Sequence, residues 1–342
     1  MKKCFLLFLT LALVLFFAGC ATTSDAGESE TPVPYSSAAP ESPKQKKNLT
    51  LDEIFDGTTK WPENTASLPV AMKPAEDAEY WDSFVEMIQN GSDINDIEQY
   101  MLTWYGSYGW TPEFYAACHN YYYQKALVLL PNAASEADIN VVYENLDRCF
   151  DACYHGSMQY PDRLDLWCGF VHAAINLGDY ESAEGCIQAI IDRLEYNVNN
   201  WYWTYNEPFY EGEEAHEREF VQIMHDYVAE FLNDNVLDYA YSVSSRVLEY
   251  FPDNTIVLND VALSYLYSGD LEAACPYLEY AFELNPEDLV VMTNLAYVYE
   301  DLGRYEDSFE LANMMIMSGE EDYVSRGIVL SAELNSLMNP DK

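Results

Sequence analysis

Positive charge is what this sequence most lacks. Its 342 residues carry 16 Lys and Arg against 58 Asp and Glu, a formal charge of −42. Such a surface repels phosphate backbones and anionic membrane faces, which excludes nucleic acid as a partner. Cysteine is sparse too: eight in a chain of this length cannot frame a disulfide scaffold. The chain has no G-x-S-x-G elbow, phosphate-cradling glycine loop, dinucleotide fingerprint or calcium loop of alternating acids. His216-Glu217 opens like a zinc-protease helix, but Phe220 stands where the second histidine belongs. Cys149, Cys153 and His155 lie close together without a nameable fourth ligand. With 58 carboxylates, pairing any two as acid and base carries no information. The expectation is a non-enzymatic protein with no metal and no cofactor. Apolar material is not lacking: 49% of residues are hydrophobic, enough for a buried core.

The first twenty residues carry an address. Lys2 and Lys3 precede an apolar run from Phe5 to Phe17, and small residues follow, the order of an export signal. The run is shorter than the roughly 20 residues a membrane span needs. Its end, Phe17-Ala18-Gly19-Cys20, resembles the lipobox of bacterial lipoprotein signals, with Phe17 where Leu is more usual. That resemblance implies a signal peptide over residues 1–19 and acylation of Cys20, palmitate included. Two or more acyl chains hold a protein stably on a membrane. It also implies the cell envelope, on the outer membrane or cell surface if the cell is Gram-negative. Residues 21–48 are rich in Ser, Thr, Pro, Ala and Gly, so 20–48 reads as the lipidated cysteine and a disordered tether. Residues 49–78, with Leu51, Ile54, Phe55 and Trp61, read as a lead-in that packs on the first helices.

From residue 79 onward the apolar spacing is mostly three and four, the helical pattern. A second period of 34 overlies it: Ala262 and Ala296, Tyr265 and Tyr299, Gly269 and Gly303, Leu271 and Tyr305, Pro252 and Pro286. Small Ala262, Ala274 and Ala281 let two antiparallel helices approach, while Tyr265 and Leu278 fill the gaps. Gly269 supplies the positive φ that ends the first helix, and Pro286 stops the second. This pattern resembles the tetratricopeptide repeat. The copy at 255–288 is the best, 164–197 fits well, 289–322 departs late, and 221–254 is divergent. Looser hairpins are expected over 79–105 and 111–158. The resemblance implies an all-α fold, a right-handed α-solenoid of about six hairpins over 79–342, with Tyr323–Met338 as a capping helix.

In that family the first helix of each pair lines a concave groove through repeat positions 2, 5, 9, 12 and 13. Carried over, the candidates include His172, His225, Asn259, Leu263, Tyr267, Thr293, Tyr297 and Asp301. No groove position is Lys or Arg, so the carboxylate clamp of the chaperone-binding members is missing. The implied partners are proteins or peptides of neutral or basic chemistry, held on a scaffold. Trp201, Trp203 and Tyr205 lead an aromatic insertion over 201–210, and a second knot gathers Trp104, Tyr105, Tyr108, Trp110, Phe114 and Tyr115. Such rings serve either as a stacking platform for glycans, nutrients or peptides, or as local core, which is the favoured reading. Tyr121, Tyr122 and Tyr123 spread over more than half a helix circumference, so some should be exposed or sit in the groove. The six cysteines beyond Cys20 are expected to be buried thiols.

Overall fold

The computed structural model describes residues 50–55, 76–196, 201–204, 207–209 and 214–339. The chain forms two compact units, residues 1–173 and 174–342. The lipidation candidate Cys20 and the tether lie outside the described residues.

In the first unit, α1 (Leu51–Glu53) is a single turn closed by Thr50, whose hydroxyl accepts from the Glu53 N–H while the Glu53 carboxylate accepts from the Thr50 N–H. Helices α2 (Ala78–Gln89) and α3 (Ile94–Tyr108) make one hairpin. Helices α4 (Pro112–Leu129) and α5 (Glu136–Gln159) make the next, joined through a 3-10 turn. Their starts follow local chemistry: Asp93, Thr111 and Ser135 each accept a first-turn N–H. Pro112 sits where a missing N–H costs nothing.

Helix α4 is the axis of this unit. Phe114, Tyr115, Cys118, His119, Tyr121, Tyr122 and Tyr123 are all buried, so its apolar residues from 114 to 123 are covered on every side, while Val128 near its end is exposed. Of the two alternatives for the Tyr121–Tyr123 run, exposure is overturned, because a different neighbour covers each ring. Tyr121 donates to Glu98 of α3 (3.2 Å), Tyr122 donates to Asp52 of α1 (3.1 Å), and Tyr123 meets the His172 ring. In the knot around Trp104, Trp104, Phe114 and Tyr115 are core as well, whereas Tyr108 is exposed. Trp104 is T-shaped on Phe114, Trp110 stacks on Tyr115 at 4.8 Å, and the Trp104 indole donates to buried Asp77 at 2.7 Å.

Helix α6 (Leu164–Leu177) contains the boundary between units. Beyond it the second unit runs α7 (Tyr180–Tyr196), α8 (Glu214–Asn233), α9 (Leu237–Tyr250), α10 (Thr255–Ser268), α11 (Leu271–Leu284), α12 (Leu289–Asp301), α13 (Tyr305–Met317) and α14 (Glu321–Met338). The insertion after α7 holds a small antiparallel hairpin, β1 (Trp201–Thr204) on β2 (Glu207–Phe209), with a bulge. Among the described residues the fold is all-α but for this ribbon, with the helices paired in antiparallel hairpins and a final helix.

The 34-residue period is visible bond by bond. Asn254 and Asp288 cap α10 and α12 identically, each carboxamide or carboxylate oxygen accepting from two N–H groups. In the second unit each of the first helices α8, α10 and α12 ends in a left-handed residue. Gly269 and Gly303 take φ of 84° and 74°, and each following N–H returns to the carbonyl five residues back. At the divergent turn 34 residues earlier, Asn235 takes φ 58° and makes the same bonds. It is the one non-glycine residue with positive φ among the described residues. Ala262, Ala274, Ala281, Ala296 and Ala312 are fully buried where paired helices meet. Gly327 lets α14 close on α13: a Cβ there would stand 2.6 Å from the Ala312 carbonyl oxygen.

A left-handed turn at these hairpins of the second unit has a measurable consequence. Asn235→Gly is expected to hold or raise the urea midpoint, whereas Gly269→Val should lower stability by about 1–2 kcal/mol. Equal losses for the two variants would show that turn conformation is not what limits these positions.

Candidate functional site

Successive first helices of the second unit, α8, α10 and α12, carry repeat positions in fixed register, and the positions divide by burial. Positions 2, 9 and 13 are the open ones. Ile256 and Tyr267 on α10 and Val290, Tyr297 and Asp301 on α12 are exposed, with Leu263 half-buried between them. Tyr267 is 55% and Val290 51% exposed, high values for residues that burial would favour. Residues 256, 263 and 267 share one helix face, as do 290 and 297. The result is an apolar stripe edged by Glu300 and Asp301, on two helices that contain no Lys or Arg.

Position 5 turns sideways. Asn259 and Thr293 are buried and serve packing, so they present little to a ligand. Asn259 accepts from the Asn294 amide at 2.7 Å, linking α10 to α12. Thr293 returns its hydroxyl to the Leu289 carbonyl. His225, half-buried, meets Asp260 across α8 and α10 at 2.7 Å. Both cross-links join position 5 of one repeat to position 6 of the next, 35 residues on. Sequence reasoning missed their second members, Asp260 and Asn294, because the pairing appears only once the register is known. The bond to Asp260 raises the His225 pKa, and burial raises that of Asp260. On the same helix, burial with Asp234 and Asp226 nearby lifts the Glu230 carboxyl to about 7. A carboxyl poised near neutrality occurs in active sites, but burial, with acids crowded beside it, is enough to explain this one.

His172, on α6, is buried in the first unit. Its Nδ1 lies 3.4 Å from Nε2 of His119, and the Tyr123 ring stands 4.6 Å away. Burial depresses both pKa values, to about 4 for His119 and about 3 for His172. Asp165, another position-2 residue, is buried against Arg163. That guanidinium grips both Asp165 oxygens and reaches Glu113, yet burial still holds the two carboxyls above their usual range. This ion cluster was not legible beforehand, since Glu113 and Arg163 are 50 residues apart. The open face is thus confined to α8, α10 and α12.

The remaining candidates do not gather into a chemical site. Tyr205 and the side chains of Trp201 and Trp203 lie outside the described residues. Cys149 and Cys153 are buried, and Cys149 donates weakly to the His119 carbonyl. Among the described residues no three His, Cys, Asp or Glu are placed to hold a metal ion. The six cysteines in the described region are thiols, five of them buried. No described helix is long and apolar enough to cross a membrane.

Residues 257–288 match the sequence model of the tetratricopeptide repeat family. This segment holds most of α10 and all of α11, the best copy by spacing. No curated protein matches the chain. Among solved structures, a tetratricopeptide repeat protein from Parabacteroides merdae is 10% identical, with a TM-score of 0.41, over 76% of this chain and 92% of that one. PilF from Pseudomonas aeruginosa is 12% identical, TM-score 0.35, over 67% and 95%. MamA from Desulfovibrio magneticus is 12% identical, TM-score 0.34, over 63% and 96%.

The paired histidines make the first unit sensitive to acid. Their folded pKa values lie below the unfolded value near 6.5, so the unfolded chain takes up protons first. Their contribution is complete above pH 6.5 and falls as pH drops toward 4, by at most about 1.4 kcal/mol per pH unit for each histidine. His172→Leu should therefore flatten the loss of stability between pH 7 and 5, measured by urea unfolding. Parallel slopes for variant and parent would contradict this.

Proposed function

We propose that this protein is a lipid-anchored, non-enzymatic scaffold of a bacterial cell envelope that holds protein or peptide partners on the first-helix face of its second unit. The observation that carries the reading is the exposed stripe of Ile256, Tyr267, Val290 and Tyr297 on helices without a single cation. Aromatic and aliphatic side chains left open in register are what a partner would bury. An edge of carboxylates favours a partner that is neutral or basic and speeds its approach within a Debye length, about 8–10 Å. The missing Lys and Arg leave nothing to pair with an acidic C-terminal tail. Anchoring rests on the lipobox-like run ending at Cys20, which supplies attachment without a spanning helix. No observation favours a glycan- or nutrient-binding role for the insertion at 201–210.

Two measurements test the reading separately. Metabolic labelling with an alkyne palmitate should mark the parent protein and not Cys20→Ala; equal labelling would remove the anchor. Replacing both rings, Tyr267→Ala with Tyr297→Ala, should weaken partner capture by at least ~10-fold, from about 1–2 kcal/mol per aromatic anchor. Unchanged capture, or tight calorimetric binding of an acidic tail peptide, would move the binding face elsewhere.

A further inference from the structure

The first unit already holds a short segment in a groove of its own. Residues 50–55 form one turn of helix, too short to persist alone. Leu51, Ile54 and Phe55 are buried, at 0%, 1% and 9% exposure. The Phe55 ring stands edge-on to Tyr122 at 4.9 Å and to Trp110 at 5.6 Å. The Leu51 N–H donates to Glu98 of α3 at 3.4 Å. Between the apolar anchors, Asp52 takes three partners on one oxygen: the Tyr122 hydroxyl at 3.1 Å, Lys125 Nζ at 3.3 Å and Arg148 Nη1 at 3.7 Å.

The cations are the informative part. Beyond Glu79 the chain has nine Lys and Arg among 264 residues, and two of them converge on this one carboxylate. Both also lie over tyrosine rings, Lys125 at 5.5 Å from Tyr121 and Tyr122 and Arg148 at 5.5 Å from Tyr122. Arg148 and Lys125 belong to α5 and α4, so the pocket exists on the helices, not on the segment. It selects three apolar anchors at the first, fourth and fifth places and a carboxylate at the second. Those requirements are chemical, and a segment of another chain can meet them.

We propose that the groove formed by α3, α4 and α5 is a docking site for a short, acidic, amphipathic helix of a protein partner, and that residues 51–55 occupy it in cis as an internal competitor. This site is independent of the stripe on the second unit and has the opposite charge preference. A tethered competitor acts at an effective concentration in the millimolar range, so an outside segment binds the parent protein weakly. It gains access when the internal segment is out-competed or weakened. Residues 56–75 separate the segment from α2 in sequence.

The probe is a fluorescein-labelled peptide of residues 48–57, read by anisotropy against the full chain. Binding should be at least ~10-fold tighter to a variant with Ile54→Ser and Phe55→Ser than to the parent. Adding Lys125→Glu to that variant, or Asp52→Lys to the peptide, should abolish it. A folded variant that binds no peptide, or binds it regardless of Lys125, overturns the proposal. Hydrogen exchange on the unaltered protein decides the matter even if the variant fails to fold. The amides of Ile54 and Phe55 should exchange through a local opening that leaves Tyr121 to Ala126 protected. Exchange of both groups only on global unfolding would make the segment integral core and overturn the proposal equally. Binding of a basic control peptide in place of the acidic one would also overturn it.

Discussion

The close approach of antiparallel helices at alanine, repeated every 34 residues, is the constraint on which the second unit depends. Fully buried Ala262, Ala274 and Ala281 have no room for a larger side chain, and Ala296 and Ala312 continue the seam into the next hairpin. Because the seam fixes the rotation of each first helix, it also decides which residues remain outside. Positions 2, 9 and 13 are open because 4, 7 and 8 are committed to the seam: Leu258, Val261 and Ala262 on α10, Met292, Leu295 and Ala296 on α12. A left-handed turn residue ends each first helix in the same way, whether glycine or Asn235. The exposed stripe is thus a by-product of packing, set in register by groups that lie in the seam.

Surplus negative charge imposes the second condition. With so few cations, hydroxyls of tyrosine take over much of the work of joining carboxylates across elements. Tyr180 donates to Asp234 at 2.8 Å, Tyr280 to Asp253 at 2.6 Å, and Tyr299 to Glu279 at 3.0 Å. In the first unit Tyr121 and Tyr122 do the same for Glu98 and Asp52. A neutral donor satisfies a carboxylate without the cost of desolvating a second charge. The few arginines are spent where two acids meet. Arg304 joins Glu279 to Asp307 over the Tyr299 ring, and Arg246 joins Asp192 to Glu249. This division leaves the first-helix face without cations and the first unit with one concentrated pair, Lys125 and Arg148.

What could be read from sequence was whatever repeats. Gly269, Gly303 and the alanines recur at a fixed interval because one local geometry recurs, and residues 257–288 carry enough of it to match the repeat family. The open residues Tyr267 and Tyr297 followed from the same register. What could not be read depends on contacts between distant segments. Nothing local distinguishes His172, buried beside His119, from Tyr297, exposed at the same repeat position. The burial of Tyr121, Tyr122 and Tyr123 on α4 requires α1, α3 and α6 to be in place. Asn259 looks like a groove residue until its sideways bond from position 5 to position 6 is seen, and Thr293 until its hydroxyl is found turned back to the Leu289 carbonyl. Asn235 shows the reverse: a turn preserved in geometry where its glycine signature is lost.

The central claim is that the face carrying Tyr267 and Tyr297 holds a protein partner in the cell. Site-specific photocrosslinking tests it most directly, with a photoreactive phenylalanine placed in turn at Tyr267, at Tyr297 and at the exposed Tyr280 on α11. The account predicts the same discrete adduct from Tyr267 and Tyr297, none from Tyr280, and crosslinked peptides of neutral or positive net charge. No adduct from the two first-helix positions, or an identical pattern from Tyr280, would contradict it.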